Sequence, residues 1–209
     1  MDTELRAELL RRMEKDQAAI GAAGSSVLKA VAAGKEAVLA GNLSWLKQVI
    51  ADVGWPGISL VGEDGAFAAW LLAQHADRDP VFQRRCLDLM AGAAARGEAS
   101  WRDVAYLTDR VLLAEGKPQE YGTQATGRDG QYVARDLRDP AGVDERRARV
   151  GLGPLAGYLA QMTEYYGPPL NSVLCPACGA RLGWDPRQGE AAPVSCFICG
   201  QAMPGQRQP

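Results

Sequence analysis

The chain has 209 residues, 47% of them apolar and 23% charged, with a formal net charge of −2 at pH 7. This allows one ordinary globular core plus a small appendage, and no segment approaches the roughly 18 uninterrupted apolar residues of a membrane helix. Residues 1–169 hold 20 Lys and Arg against 23 Asp and Glu, and residues 170–209 hold 3 against 2. Because neither part is basic, and the N-terminus lacks a signal-peptide pattern, we expect a cytoplasmic protein without a membrane or nucleic-acid partner.

The first element predicted is an amphipathic helix over residues 3–20. Charged side chains surround one apolar stripe, which consists of Leu5, Leu9, Met13 and Ile20. Residues 22–41 are rich in alanine and glycine and look like an insert that contains one weak helical stretch. We assign no function to this insert.

Local start and stop signals predict four helices and one short strand between residues 42 and 116. The strand is expected at residues 58–61, and Gly54 and Gly116 are expected to end helices. Ser100 and Asp103 resemble a capping box. The predicted helix caps are Asn42, Asp64, Asp79 and Ser100.

The helical period disappears between residues 119 and 136. Two short runs, residues 121–124 and 131–134, flank a glycine-containing turn and predict a β-hairpin. Asp144 is expected to cap a short arginine-rich helix, and Pro154 to open the last helix.

The C-terminal segment carries two CxxC pairs with 17 residues between them, each followed by glycine. This pattern predicts a four-thiolate zinc ribbon, although the same knuckles also suit iron. With all four positions filled by protein, the metal is expected to be structural. The predicted ligands are Cys175, Cys178, Cys196 and Cys199.

The sequence therefore predicts a mainly α (α+β) fold, a single helical domain with one hairpin and an appended zinc ribbon. The helical domain is assigned to residues 1–167, with the hairpin near 119–136. The ribbon follows at 168–203 after a Gly-Pro-Pro break, and residues 204–209 form a disordered tail.

His75 is the only histidine, and an imidazole serves as a proton acceptor or donor near neutral pH. Asp79 is placed either to hold its ring or to cap the next helix. Tyr121, Thr123 and Gln124 can offer a phenol, a hydroxyl and an amide to a ligand, or form an ordinary edge strand. A buried, structurally satisfied histidine is the alternative for His75.

Two arginine-containing motifs complete the set of candidate residues. Arg146 and Arg147 can pair with an anionic group, although a solvated helix face explains them equally well. Asp109 and Arg110 have the spacing of an ordinary structural ion pair. Cys86 lies on an apolar stripe and is expected in the core.

Several motifs in the same order resemble a widespread bacterial family catalogued as a domain of unknown function, over residues 5–166. The motifs include Asp16-Gln17, Gly54-Trp55-Pro56, Gln74-His75-Ala76-Asp77, Asp109-Arg110 and Tyr121-Gly122-Thr123-Gln124. The resemblance implies a helical domain whose polar motifs converge on one pocket. Family members often carry an arginine after the Asp-Gln pair, whereas Ala18, Ala19 and Ile20 stand here, so we assign the first helix no site residue.

Two functional hypotheses follow. In the first, the helical domain is a hydrolase or transferase with His75 as acid/base and Tyr121 as a second catalytic residue, acting on a small or peptide-like ligand. The second is a non-enzymatic adaptor that docks a partner protein through the zinc ribbon. Under the first hypothesis the ligand-binding residues are Gln74, Asp109, Arg110, Thr123, Gln124, Arg146 and Arg147.

Overall fold

The computed structural model describes residues 1–21, 28–128, 130–167, 169, 171–174, 177, 181–184, 194–195 and 201–202. The helices are α1 (Thr3–Gly21), α2 (Leu28–Val53), α3 (Ile58–Gln74), α4 (Pro80–Ala94), α5 (Trp101–Ala114), α6 (Val143–Arg149) and α7 (Leu155–Tyr166). The strands are β1 (Ala125–Arg128), β2 (Gln131–Ala134), β3 (Asn171–Leu174) and β4 (Arg181–Trp184). The chain divides into two compact units, Met1–Thr123 with Asp136–Leu152, and Gln124–Arg135 with Gly153–Pro209.

Helix α3 is the centre of the first unit and contacts α1, α2, α4 and α5. Its inner face is rich in alanine, and Ala68, Ala69 and Ala73 are fully buried. Such small side chains let neighbouring helices approach closely, so that larger residues of those helices fill the core. The largest of these core residues are Leu9, Leu46, Ile50, Met90 and Leu107.

The strand predicted at residues 58–61 is wrong, because these residues form the first turn of α3. Gly62 interrupts the helix with φ 75° and ψ 169°, a conformation that strongly favours glycine. A run of four apolar residues does not distinguish a strand from a buried helical turn, which explains the error.

Helix α2 is also longer than predicted. Asn42 lies inside this helix and is not a cap, since α2 runs continuously from Leu28 to Val53. The other stop signals are confirmed in part. Gly54 and Gly116 follow α2 and α5 with φ of 72° and 70°, as expected for glycines that end helices.

The predicted caps have mixed outcomes. Asp79 caps α4 by accepting a hydrogen bond from the Phe82 N–H at 2.9 Å. Ser100 occupies the N-cap position of α5, but its side chain makes no capping hydrogen bond. The N-cap of α6 is Gly142, and Asp144 lies in the first turn instead.

The second unit contains two antiparallel hairpins and α7. The first hairpin is confirmed, but its first strand is β1, so that residues 121–124 precede the hairpin instead of forming it. In the second hairpin β3 pairs with β4. Helix α7 packs against β2.

The described residues confirm a mainly helical protein with a hairpin near residues 119–136. The boundary predicted after residue 167 stays a prediction. No helix in the part of the chain that the structure describes is both long and apolar enough to cross a membrane.

Cys86 is expected to resist alkylation in the folded protein. Its side chain is fully buried, and burial raises the pKa of the thiol to about 12. Since the thiolate is the reactive form, brief iodoacetamide treatment at about pH 8 should leave Cys86 unmodified. Peptide mass mapping distinguishes it from the other cysteines, with a urea-unfolded sample as the alkylated control. Equal modification of Cys86 in both samples would contradict its place in the core.

Candidate functional site

His75 forms a close pair with a buried carboxylate from the first helix. The His75 Nδ1 atom lies 2.5 Å from Asp16 Oδ2. The Asp16 side chain is fully buried, whereas the His75 side chain is 18% exposed. The histidine therefore reaches the surface, but one of its ring nitrogens is held from inside the protein.

Asp16 is itself fixed by α2. Its second oxygen, Oδ1, accepts a hydrogen bond from Asn42 Nδ2 at 3.2 Å. The Asn42 side-chain oxygen accepts one from Arg12 Nη1 at 3.3 Å, which assigns the orientation of the amide. Arg12 is held in turn by Glu8 at 2.6 Å and stacks on Trp45. We call Asp16, Asn42 and His75, with Arg12 behind them, the dyad network.

The donors around Asp16 define the direction of its hydrogen bonds. Asn42 and His75 present side-chain N–H groups to the carboxylate, which accepts from both. When the imidazole is neutral, Nδ1–H donates to Asp16 and Nε2 carries the lone pair. This arrangement orients the imidazole as a proton acceptor, as a carboxylate does in hydrolytic triads.

The end of α3 is held by α4. The buried Gln83 donates through Nε2 to the carbonyls of Ala73 and Gln74, each at 3.1 Å. The same nitrogen lies 3.3 Å from Asp77 Oδ1. The Ala73 carbonyl also accepts the Ala76 N–H, whereas the bond to Gln74 occupies a carbonyl at the helix end, and together they hold the segment that carries His75.

Asp77 connects this segment to α5 through Arg110. Two guanidinium nitrogens of Arg110 donate to the two carboxylate oxygens of Asp77, each at 2.7 Å. Burial raises the pKa of Asp77, but the hydrogen bond and charge of Arg110, with smaller effects of Gln83 and His75, outweigh it and lower this pKa overall.

Replacing Arg110 with methionine is expected to cost about 1 kcal/mol of stability at neutral pH, because the Asp77 side chain is exposed enough for solvent to screen the pair. A lowered carboxyl pKa stabilises the folded state above the ordinary Asp value, and this contribution disappears as the pH falls through the lowered value. The loss of unfolding free energy caused by Arg110→Met, measured by urea unfolding, should therefore be smaller at about pH 3 than at pH 7. An equal cost at both pH values would contradict this role of the pair.

A second network surrounds the buried Asp109 of α5. Its carboxylate accepts hydrogen bonds from the backbone N–H groups of Glu120 at 2.8 Å, Tyr121 at 3.0 Å and Thr123 at 2.8 Å. Burial raises the pKa of Asp109, and these hydrogen bonds oppose the increase. Asp109 thus fixes the backbone of residues 119–123, which we call the anchored loop.

Two arginines of α6 hold the other side of the anchored loop. Arg147 is buried and donates Nη1–H to the Tyr121 carbonyl at 2.7 Å. Arg146 donates to the carbonyls of Glu120, Arg138 and Asp139 at 2.8, 2.6 and 2.9 Å, and pairs with the Asp139 carboxylate at 3.2 Å. These contacts use most of the Arg146 guanidinium for backbone positioning.

Residues 3–170 match a model described as "Family of unknown function (DUF6624)". The chain belongs to the DUF6624 family. No curated protein and no solved structure matches the chain. The DUF6624 match contains the dyad network and the anchored loop, whereas all four cysteines of the predicted ribbon lie beyond it.

The structure distributes the predicted site residues of this DUF6624 chain over two networks. His75 belongs to the dyad network, whereas Tyr121 and Thr123 belong to the anchored loop and Arg146 and Arg147 contact its backbone. Asp109 and Arg110 are adjacent on α5. Asp109 holds the anchored loop, whereas Arg110 pairs with Asp77, two residues after His75. The expectation that Asp109 and Arg110 pair with each other is not met.

The remaining predicted residues have individual environments. Gln74 is buried, and its Oε1 has no hydrogen-bond partner among the described residues. Gln124 lies in the second unit. Burial, with the charges of Glu120 and Asp109, raises the pKa of the Tyr121 phenol, which favours its protonated form. Asp79 does not hold His75, since it caps α4 and pairs with Lys47 at 2.6 Å.

The predicted site residues do not include Asp16, Asn42 or Gln83, and Asn42 is expected only as a helix cap, yet the sequence contains a signal for all three. Asp16 lies on the apolar stripe of α1, three residues after Met13 and four before Ile20. Asn42 precedes the buried Leu46 by four residues, and Gln83 precedes the buried Leu87 by four. A polar residue on the buried stripe of a helix needs a partner, and so marks an internal contact.

Cys175, Cys178, Cys196 and Cys199 lie outside the described residues, so the zinc site stays a prediction. Among the residues that the structure does describe, no group of three or more His, Cys, Asp or Glu side chains is placed to hold a metal.

Proposed function

We propose that the helical body is an acid/base module in which His75 exchanges a proton with a small or peptide-like ligand, in a hydrolysis or group transfer. The observation that carries this proposal is the 2.5 Å contact of His75 with the fully buried Asp16, combined with partial exposure of the ring. In the proposed step Nε2 accepts the proton of an attacking water or hydroxyl. Asp16 then stabilises the imidazolium that forms.

The surrounding residues support this role in three ways. Asn42 and Arg12 hold Asp16 in one orientation. Gln83 fixes the end of α3 next to His75. The guanidinium of Arg110, held by Asp77, is the cation that we assign to an anionic part of the ligand. We assign Arg146 and Arg147 a positioning role on the anchored loop instead.

The first test uses diethyl pyrocarbonate, which acylates the unprotonated imidazole. Because the chain has one histidine, the absorbance change reports on His75 alone in untagged protein. We expect His75 to react in the folded protein because its ring is partly exposed, and the His75→Gln variant not to react. Reaction that requires unfolding would contradict the proposal, since a sealed histidine has a structural role only.

The second test looks for the ligand. A metabolite screen by thermal shift compares the wild type with His75→Gln, because a ligand that binds the folded state raises its melting temperature. A ligand turned over by the wild type and bound but not turned over by His75→Gln supports the proposal. Unchanged turnover in the variant excludes His75 as the acid/base.

We also propose that the four cysteines bind a structural zinc ion. The described backbone pairs Leu174 with Arg181 and Ser195 with Ala202. Leu174 and Ser195 each come immediately before a CxxC motif, and Arg181 and Ala202 each lie three positions after the last cysteine of that motif. The two motifs therefore have the same register. Elemental analysis should find one zinc per chain, lost in a Cys175→Ser, Cys178→Ser variant, and iron instead of zinc would overturn the assignment.

The adaptor hypothesis rests on Trp184, Phe197 and Ile198 of the ribbon. Their side chains lie outside what the structure describes, so docking of a partner protein through the ribbon stays a prediction.

A further inference from the structure

A cavity of about 300 Å³ lies between α3, α4 and α5, away from the dyad network. Apolar side chains line it, with Ile58, Ala66 and Met90 among them, and Phe67 stands there with 44% of its surface exposed. Phe67 and His75 are eight residues apart along the chain, which corresponds to about 12 Å along a helix axis. The cavity therefore lies at a different position along α3 from the end that carries His75.

Two carboxylates also line the cavity. Asp103 comes from the first turn of α5 and Glu63 from α3. Neither makes a hydrogen bond or ion pair with any other described residue, and none of the lining residues is basic.

Asp103 lies in the first turn of α5, where the helix N-terminus favours a carboxylate, yet it is partly removed from water. Its side chain is partly buried, and this burial raises the pKa of its carboxyl, an effect that the neighbouring Arg102 only reduces. A carboxylate removed from water without a donor is costly, and a cation bound beside it offsets that cost. The charge and the apolar walls thus favour the same kind of occupant, one with an ammonium group and a hydrocarbon body.

We propose that this cavity binds a small organic amine as its ammonium ion, with Asp103 and Glu63 as counter-charges and the apolar walls around its hydrocarbon part. The volume is at the lower end of the range for ligand pockets, so the amine is compact. Phe67 adds an aromatic face toward which a cation is attracted. The site is independent of His75 and of the reaction proposed above.

The test is a titration of the full chain with benzylammonium, followed by the backbone amide signals of α3, α4 and α5 in ¹H–¹⁵N spectra. Benzyl alcohol has the same shape without the charge, and benzoate has the opposite charge. We expect binding of benzylammonium at millimolar concentration, at least tenfold weaker binding of the alcohol, and no binding of benzoate. A tenfold change corresponds to the loss of about one charge-assisted hydrogen bond.

Variants identify the counter-charges. Asp103→Asn and Glu63→Gln keep the side-chain shape and should weaken binding, the first at least tenfold. Asp88→Asn, an exposed acid of α4 outside the cavity, is the matched control and should leave binding unchanged. His75→Gln should also bind normally, and thermal unfolding verifies that each variant is folded.

Three results would overturn the assignment. They are absence of binding by benzylammonium at millimolar concentration, equal binding of the alcohol, and an Asp103→Asn variant that binds like the wild type. Nα-acetyl-lysine amide presents the same ammonium on a peptide-like body. Binding of this compound but not of benzylammonium would replace the small amine by a lysine side chain of a partner protein.

Discussion

Replacing Asp109 with alanine is expected to lower the free energy of unfolding by about 3 kcal/mol. The carboxylate is fully buried and accepts three backbone N–H groups of the anchored loop. Alanine leaves all three donors without a partner. Each unsatisfied buried donor costs about 1–3 kcal/mol, although water entering the loop reduces the sum.

Asparagine at this position separates the contribution of the two oxygens. Asp109→Asn retains Oδ1, which accepts from Glu120 and Tyr121, but places an NH₂ group opposite the Thr123 N–H. We expect a loss between that of alanine and that of the control Asp88→Ala, which should change stability by less than about 0.5 kcal/mol. Urea unfolding measures the series. An alanine variant as stable as the control would contradict the anchoring role, as would unchanged hydrogen exchange of the loop amides.

Replacing Asp16 with alanine is the second substitution with a large expected effect, again about 3 kcal/mol in urea unfolding. It leaves two donors, His75 Nδ1–H and Asn42 Nδ2–H, facing an apolar side chain inside the protein. Breaking a buried pair by removing one partner costs more than the pair itself contributes, because the remaining group keeps its desolvation cost.

A double-mutant cycle isolates the pair from these secondary costs. Asp16→Ala, His75→Ala and the double variant should give a coupling free energy of at least about 1 kcal/mol, since the residues are in direct contact. The same cycle with Asp88 in place of Asp16 should give a coupling near zero. Additive effects of Asp16 and His75 would show that the short contact contributes nothing to stability.

Local signals predicted those elements whose ends are determined by nearby residues. Helix α4 begins as expected, because Asp79 and Pro80 supply a cap and a favoured first residue within one turn. Helix α2 was divided at Gly41 and Asn42 because both are poor helix formers. In the folded protein, burial of Leu46 and Ile50 and the bond from Asn42 to Asp16 stabilise the continuous helix, and tertiary contacts override a propensity difference of about 1 kcal/mol.

Local sequence signals predict even less about the candidate site than about the helix ends. His75 was identified from its chemistry alone, but its partner was sought four residues away, at Asp79. The actual partner is 59 positions earlier in the chain, a distance at which helical spacing carries no information. Only the packing of α1 against α3 brings Asp16 to the ring. For the same reason Arg146 and Arg147 suggested an anion site, although both donate to backbone carbonyls of the anchored loop and Arg146 also donates to Arg138 and Asp139.

In the proposed function Asp16 holds His75 through Nδ1, and Nε2 of the neutral ring is the proton acceptor. A long-range ¹H–¹⁵N spectrum of the untagged chain tests it directly, because all imidazole signals come from one residue. When the imidazole is neutral, we predict a proton on Nδ1 with the low-field shift of a short hydrogen bond, and the ¹⁵N shift of an unprotonated Nε2. In Asp16→Ala the low-field proton signal should disappear. A proton on Nε2 with a bare Nδ1, or a wild-type spectrum identical to that of Asp16→Ala, would contradict the account.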